Sequence, residues 1–141
     1  MINPFFIYKE LKSKLSHLTS VYDYTGTYPE EVTSAICIEI SPEVLQVQYL
    51  RGNKEIAIKV PVHFHLVSQV LKDVNDIIDE EATLTAHHNL LAAMDTALKD
   101  LILRDGSIRY SSCFTKTGIK KYQYKEDKVY SILTYTVDLL G

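Results

Sequence analysis

One segment of this chain alternates strictly between apolar and other side chains for more than a dozen residues. Within residues 55–67 every second position is apolar, namely Ile56, Ile58, Val60, Val62, Phe64 and Leu66. The residues between them are Ala57, Lys59, Pro61, His63 and His65. A period of two with β-branched residues is typical of a strand that buries one face. We therefore predict a long strand here. Because Pro61 has no N–H to donate, the sequence predicts a sheet edge or a bulge at this residue.

Other segments share this period but are shorter or less regular. The further predicted strands are residues 32–40, 44–50, 108–115, 119–124 and 129–139. Glycine and asparagine tolerate positive φ, so residues 51–54 and 117–118 are predicted turns. Residues 125–128 are predicted to end the strand at 119–124. Residues 19–31 contain turn residues and three tyrosines. We predict that they form a loop with exposed tyrosine side chains.

Two segments have the three- to four-residue apolar spacing of an amphipathic helix. In the first, Asn3 and Pro4 suit the cap and the first helical position. Its apolar stripe is Phe5, Tyr8, Leu11, Leu15 and Leu18. The second helix is predicted over about residues 82–103, with Gly106 as a left-handed cap. Residues 68–81 combine apolar and acidic side chains, and the sequence leaves them open between a short helix and a loop.

The predicted order of elements is α–β–β–β–(α)–α–β–β–β. Strands that follow one another predict an α+β fold with a mainly antiparallel or mixed β-sheet. The N-terminal helix and the long central helix are expected to pack on one face of that sheet. This order argues against doubly wound nucleotide-binding folds, which repeat β–α–β units. With 141 residues and no long linker, the chain is predicted to be a single domain over residues 1–141.

Charge and cysteine content narrow the function classes. The net charge is −3, which argues against nucleic-acid binding, because phosphate contacts need a basic excess. Cys37 and Cys113 both lie in strand-like runs and are predicted to be buried free thiols. The sequence has no signal-peptide pattern and no apolar run of roughly 18 residues. We therefore expect a soluble protein without an export signal.

The candidate metal ligands are His63, His65, His87 and His88. The strand pair has no carboxylate or cysteine nearby on its own strand face, and adjacent helix residues cannot both point at one ion. We therefore predict that these histidines face solvent or an interface. Cys113 paired with a histidine would make a nucleophile, but it is predicted to be packed. No phosphate-binding loop is present. We expect no metal, no cofactor, no catalytic residues and no enzymatic activity.

The charged residues form two blocks. Residues 73–81 are acidic, and residues 109–128 are rich in lysine and tyrosine. The first block lacks the ligand order of an EF-hand, so it is either a solvated run or a docking surface. The second suits a protein interface, an exposed hairpin or a single-strand binder. Opposite patches on one subunit suit a head-to-tail contact that closes into a ring. The candidate interface residues are Tyr24, Tyr28, Asp73, Asp76, Asp79, Glu80, Lys116, Lys120, Lys121, Tyr122 and Tyr124.

The order of elements resembles the tail-terminator and tail-completion (minor tail) proteins of long-tailed bacteriophages and prophages. The resemblance extends over nearly the whole chain. It includes the N-terminal helix, the strands at 35–40 and 56–66, the helix at 84–101 and the aromatic-rich closing strand at 129–137. It is a resemblance of pattern and length without a diagnostic motif, and the family has no catalytic residues to carry over.

The resemblance implies a structural virion component made in the bacterial cytoplasm. Members of the family form rings, commonly hexamers, that cap the tail tube and join it to the head. The implied partners are copies of the chain itself, tail-tube proteins and head–tail connector proteins, with no membrane. The loop 19–31 and the hairpin 116–128 would make these contacts, whereas the acidic segment 68–81 is longer than this plan requires. The alternative is a bacterial module that binds a protein or small ligand on its sheet.

Overall fold

The computed structural model describes residues 4–40, 46–50 and 54–140, with side chains described at 6–40, 58–119 and 123–140. The helices are α1 (Pro4–Leu15) and α2 (Glu80–Leu98). The strands are β1 (Ser20–Asp23), β2 (Ser34–Ile40), β3 (Gln46–Leu50), β4 (Lys54–Gln69), β5 (Arg104–Asp105), β6 (Ile108–Arg109), β7 (Thr115–Lys125) and β8 (Lys128–Leu140). The predicted α+β class is confirmed.

The main sheet is mixed and has the strand order β1-β2-β4-β8-β7, with β3 also paired to β4. β1 and β2 are parallel, and the other pairs described in this sheet are antiparallel. β4 is the central strand, because it pairs with β8 along one side and with β2 and β3 along the other. β5 and β6 form a separate small hairpin.

Pro61 lies in this central strand, so the prediction of a sheet edge or bulge was wrong. It is opposite Thr136 of β8 in a ladder whose described register is continuous. On the other side of β4, the ladder with β2 ends at Val62, and the ladder with β3 begins at Lys59. Pro61 therefore lies between two ladders, where no described strand requires the N–H that proline lacks.

Both helices contribute to one core on the same face of the sheet. Val60, Val62, Phe64 and Leu66 of the predicted apolar face of β4 are buried there, and Phe64 meets Tyr135 of β8 edge to face with 5.4 Å between ring centroids. From α1 the core takes Ile7, Leu11 and Leu15. Ile7 is missing from the predicted stripe, whereas Leu18 lies beyond the end of the helix and is partly buried.

A smaller apolar cluster covers part of the opposite face of the sheet. Its buried members are Ala35, Cys37 and Val67. Residues from the segment that follows β1 pack against it, namely Tyr24, Tyr28 and Val32, together with Tyr130 of β8. The predicted open loop at 19–31 was therefore wrong in two respects. It contains a strand that pairs with β2, and Tyr24 and Tyr28 are half-buried.

The second helix and the strands that follow it also differ from the prediction. α2 ends at Leu98, and Asp100 has a φ of +58°. Gly106 does not cap it, because this glycine (φ +62°) turns the hairpin between β5 and β6. Most of the predicted strand 108–115 is irregular, with one isolated bridge from Ser111 to Leu139. The predicted turn at 117–118 lies inside β7, which continues through it with a shift of register after Lys116.

Three predicted features fall wholly or partly on residues outside the described ranges. They are the cap at Asn3, the predicted strand 44–50 at residues 44–45, and the turn residues 51–53. The strands that flank this turn do pair antiparallel, with Leu50 opposite Lys54. Residues 125–128 form the turn between β7 and β8, with Glu126 at a φ of +58°.

Candidate functional site

The face of the sheet opposite the helices carries a compact polar cluster around His65. The alternation of β4 directs His63 and His65 to this face, because Phe64 between them points into the core. The His65 ring stacks on Tyr24, with 4.0 Å between ring centroids and 17° between planes. Its Nδ1 lies 2.8 Å from the hydroxyl of Tyr28, and its Nε2 lies 3.1 Å from Oε1 of Glu39.

These contacts define a chain of hydrogen bonds. A carboxylate only accepts, so Nε2 of neutral His65 carries the proton and donates to Glu39. Nδ1 then accepts from the hydroxyl of Tyr28. Burial lowers the pKa of His65, while the hydrogen bond and charge of Glu39 act in the opposite direction. Burial, and then the neighbouring Tyr24, raise the pKa of Tyr28. Both the imidazole and the phenol are therefore neutral near pH 7.

The expectation that no carboxylate or cysteine lies near this histidine pair was wrong. Glu39 and Cys37 of β2 are directly opposite His63 and His65 in the ladder. The sequence pattern of one strand does not reveal what its neighbour presents. Among the described residues, no group of three histidine, cysteine or acidic side chains is placed to hold a metal ion.

A shallow groove of about 590 Å³ lies beside the His65 cluster on the same face. Within it, Nδ1 of His63 is 2.8 Å from the hydroxyl of Thr134. The groove is lined by Glu39, His63, His65, Gly118, Ile119, Ile132 and Thr134. We call it the open-face groove.

His87 has a different environment from the other histidines, because it is fully buried under α2. Its Nδ1 lies 2.7 Å from the hydroxyl of Ser68, and its Nε2 lies 2.7 Å from that of Ser131. Burial, followed by the charge of His88, lowers its pKa to about 4. The interpretation of His87 as a solvent-facing or interface residue was wrong, and its contacts stabilise the packing of α2 on the sheet.

The two thiols also differ from each other. Cys37 is buried as predicted, and burial raises its pKa to about 11. Cys113 is exposed in the irregular segment before β7, so the prediction that it is packed in a strand was wrong. Both are free thiols.

The acidic segment between β4 and α2 is a loop rather than a short helix. The carboxylate of Asp73 accepts hydrogen bonds from the backbone N–H groups of Asn75 and Ile77, at 2.8 and 3.1 Å. Asp79 is the N-cap of α2 and accepts from Ala82 N–H at 3.0 Å. Part of the acidic run therefore shapes the loop and caps the helix.

The same loop exposes aliphatic side chains. Val74 is fully exposed, and Ile77 and Ile78 are 61 % and 50 % exposed, with Leu71 at the loop base at 39 %. We call residues 71–78 the apolar loop. Of the large hydrophobic side chains that are exposed in the described part of the chain, half lie in these eight residues.

The basic block is partly satisfied within the subunit. Nζ of Lys116 lies 2.7 Å from Oδ2 of Asp95 on α2, and Tyr135 also donates to Asp95. Nζ of Lys128 donates to the backbone carbonyl of Glu30. These contacts attach β7 and β8 to the rest of the fold, so neither lysine is simply a solvated charge.

The predicted interface residues do not form one surface. Tyr24 and Tyr28 contact His65. Asp73 and Asp76 lie in the apolar loop, and Asp79 and Glu80 lie at the start of α2. Lys120, Lys121 and Tyr122 belong to β7 and precede the half-exposed Tyr124. The backbone N–H of Val70 donates to the carbonyl of Asp127 at 2.8 Å. The base of the apolar loop thus lies beside the turn between β7 and β8, at one end of the basic block.

Within the part of the chain that the structure describes, neither helix has the length and apolar character to cross a membrane.

No protein-family model and no curated protein sequence matches this chain. Among solved structures, the chain is similar to one chain of the virion of a native gene transfer agent particle. The two share 16 % sequence identity, and the superposition covers 93 % of this chain and 92 % of the other, with a TM-score of 0.59. At this identity the likeness establishes a common fold.

Proposed function

We propose that this chain is a structural subunit of a phage-like particle. The observation that carries the proposal is the fold likeness to a virion chain, which extends over more than nine-tenths of both chains. A match that leaves almost no residue of either chain outside the common fold favours a shared architectural role. Because function resides in sites rather than in folds, the proposal needs a test on the particle itself.

We further propose that copies of the chain form a ring, on the order of six subunits, at the end of the tail tube. This finer role rests on the sequence resemblance to tail-terminator and tail-completion proteins. The N-terminal helix, the long strands and the second helix on which that resemblance depends are present in this chain. The proposed partners are further copies, tail-tube proteins and head–tail connector proteins. The role is architectural, so we propose no catalytic step and no cofactor.

Deletion of the gene in the strain that produces the particles tests this role. We expect heads and tails that no longer join, seen as separate structures by negative-stain electron microscopy. A copy of the gene supplied in trans should restore joined particles. Joined particles of unchanged length and number in the deletion strain would refute the tail-end role.

The open-face groove favours a second candidate, a module that binds a protein or small ligand on its sheet. The groove joins apolar side chains to histidine and threonine, a mixture that binding sites commonly use. Fractionation separates the two candidates, since a binding module would be found outside purified particles and a structural subunit within them.

A further inference from the structure

His63 and His65 share one face of β4 but differ in how far they are buried. Their alternation with Phe64 directs both rings away from the helices. His63 is half-buried beside the open-face groove, whereas His65 is only 5 % exposed. Since both rings point to the face that the helices leave uncovered, the difference comes from what else covers that face.

The segment between β1 and β2 covers His65. We call its residues 24–33 the strap. The Tyr24 ring stacks on the imidazole, and the Tyr28 hydroxyl donates to Nδ1. Both tyrosines also pack on the smaller apolar cluster, in which Cys37 is 1 % exposed. The strap therefore covers an imidazole and a thiol together.

The two ends of the strap are bonded to the sheet. At one end, the backbone N–H of Tyr24 donates to the carbonyl of Ile38 at 2.9 Å. At the other end, the carbonyl of Thr33 accepts from the backbone N–H of Gln69 at 2.8 Å. These bonds leave the strap attached to the sheet when its middle moves.

The middle of the strap is held by few contacts. Tyr28 lies against His65, and its ring centroid is 4.8 Å from that of Tyr130. Nζ of Lys128 donates to the carbonyl of Glu30. Most of the other residues in the strap are exposed. A segment with so few buried contacts can open locally while the core stays folded.

Protonation of His65 conflicts with its burial under the strap. The neutral ring donates through Nε2 to Glu39 and accepts at Nδ1 from Tyr28, so an imidazolium has no acceptor for that hydroxyl. Either this bond breaks, or the hydroxyl turns and a cation stays buried beneath Tyr24 and Tyr28. Because a buried cation loses hydration, both outcomes favour the uncovered ring.

The ionisable groups that the sheet places near His65 do not move with the strap. Glu39 and Cys37 lie on β2, and His63 lies on β4. The attraction of Glu39 for an imidazolium is therefore present whether the strap is closed or open. Burial is the largest influence on the pKa of His65 and lowers it.

The ionisable groups of the strap and of β8 complete the surroundings. Burial raises the pKa of Tyr28 and that of Tyr130 on β8, so both phenols stay neutral in acid. Glu30 and Glu31 of the strap are exposed and line a separate depression with Lys128. The closed strap thus places no carboxylate of its own on the imidazole.

We propose that the strap is a pH-sensitive cover controlled by His65, closed while the imidazole is neutral and open once it is protonated. Opening exposes Cys37 and its apolar cluster beside the open-face groove. The closed state binds the second imidazole proton more weakly than the open state, so closure is favoured above about pH 6.5 and weakens as the pH falls. This device goes beyond the assembly role proposed above and does not depend on it.

Labelling of Cys37 measures the opening. In a Cys113→Ser background, Cys37 is the single thiol of the chain. It is reacted with dithiodipyridine at pH 7.5 and at pH 5. Each rate is divided by the rate of the urea-unfolded chain at the same pH, which removes the pH dependence of the thiolate itself.

We expect the protection of Cys37 to fall at least about fivefold between these pH values. The limit is about thirtyfold, for a group of ordinary histidine pKa that is protonated only in the open state. Low concentrations of urea should barely change the labelling, because local opening exposes little surface.

Three variants in the same background assign the effect. His65→Gln keeps a side chain that donates and accepts but takes up no proton, so the protection of Cys37 should no longer change with pH. His63→Gln is the matched control on the same face and should retain the full change. Tyr28→Phe removes the bond between the strap and the imidazole and should lower the protection at pH 7.5.

Three results overturn the proposal. The first is protection in the parent Cys113→Ser protein that does not change with pH, and the second is an equal fall in His65→Gln. The third is labelling at pH 5 with the full urea dependence of global unfolding, because Cys37 would then react only from the unfolded chain. If His65→Gln does not fold, Tyr28→Phe decides, and unchanged protection in that variant at pH 7.5 overturns the role of the bond.

Discussion

His87 on α2 and Ser131 on β8 are joined by a hydrogen bond of 2.7 Å between Nε2 and Oγ, and both side chains are buried. Ser68 on β4 satisfies the other ring nitrogen. The neutral imidazole has one donor and one acceptor, and a serine hydroxyl serves either, so the group leaves no ring nitrogen unpaired. The helix is thereby held to the two longest strands by polar contacts within an apolar interface.

This arrangement predicts a pH dependence of stability. The pKa of His87 falls from 6.5 to about 4 on folding, so the unfolded chain takes up the proton first as the pH is lowered. Stability is then fully present above pH 6.5 and declines towards pH 4, by about 3 kcal/mol for this group. Urea unfolding followed by circular dichroism between pH 7 and pH 4 measures it.

Substitution isolates the contribution of His87 from those of the other titrating groups. His87→Gln lowers stability at pH 7 but should remove most of this decline. His17→Gln, at an exposed histidine, should retain it. Equal slopes for the wild type and His87→Gln would show that the buried histidine does not control the acid response.

The core position of Phe64 gives a second prediction. This side chain is fully buried between the sheet and the helices, so Phe64→Ala should lower the free energy of unfolding by about 3–5 kcal/mol. Ile119→Ala, at a position 55 % exposed, should cost far less. Chemical denaturation measures both. A loss below about 1 kcal/mol for Phe64→Ala would mean that β4 presents its other face to the core.

The two cysteines should differ in reactivity. Cys113 is exposed, whereas Cys37 is buried with its pKa raised to about 11, and only the thiolate reacts. A thiol reagent should therefore label one cysteine rapidly in the native protein and both in denaturant. Cys113→Ser should abolish the rapid reaction. Rapid native labelling of Cys37 would contradict the packing of the small cluster on the open face.

The start of α2 depends on Asp79, whose carboxylate accepts from Ala82 N–H. Asp79→Ala should lower the free energy of unfolding by about 1 kcal/mol, as loss of an N-cap does. Asp79→Asn is the matched control, because asparagine caps nearly as well. If both variants lose the same stability, the charge of Asp79 rather than its capping bond is responsible.

The parts of the fold that the sequence predicted share a physical cause. In β4 and β8, successive side chains point alternately towards the core and away from it. The period of two in the sequence therefore predicts directly that Phe64 and Leu133 are buried. The class of the fold followed from the order of such segments. The local apolar pattern was sufficient to predict burial wherever the two faces of a strand have different surroundings along its whole length.

The errors arose where a residue depends on a partner distant in sequence. Pro61 is tolerated in a central strand because two other strands end beside it. The cluster around His65 draws Tyr28 from 37 residues away, and no spacing rule connects them. His87 lies at an apolar-stripe position of α2. Its imidazole can be buried there because Ser68 and Ser131, on two strands distant in sequence, bond to its ring nitrogens.

The acidic segment combines both situations. Its apolar residues have nearly helical spacing, which favoured a short helix. In the structure, Asp73 and Asp79 instead bond to backbone N–H groups, which stabilises a loop and starts α2 after it. The same short side chains explain the local structure, in which Val74 and Ile77 remain exposed.

The most direct test of the structural role is the protein content of purified particles. Particles from the producing strain are banded on a density gradient, and the chain is quantified by mass spectrometry against a known capsid subunit. We expect a small, fixed number of copies per particle, resistant to washing with high salt. Absence of the chain from intact particles, or an amount that varies between preparations and is removed by washing, would contradict it.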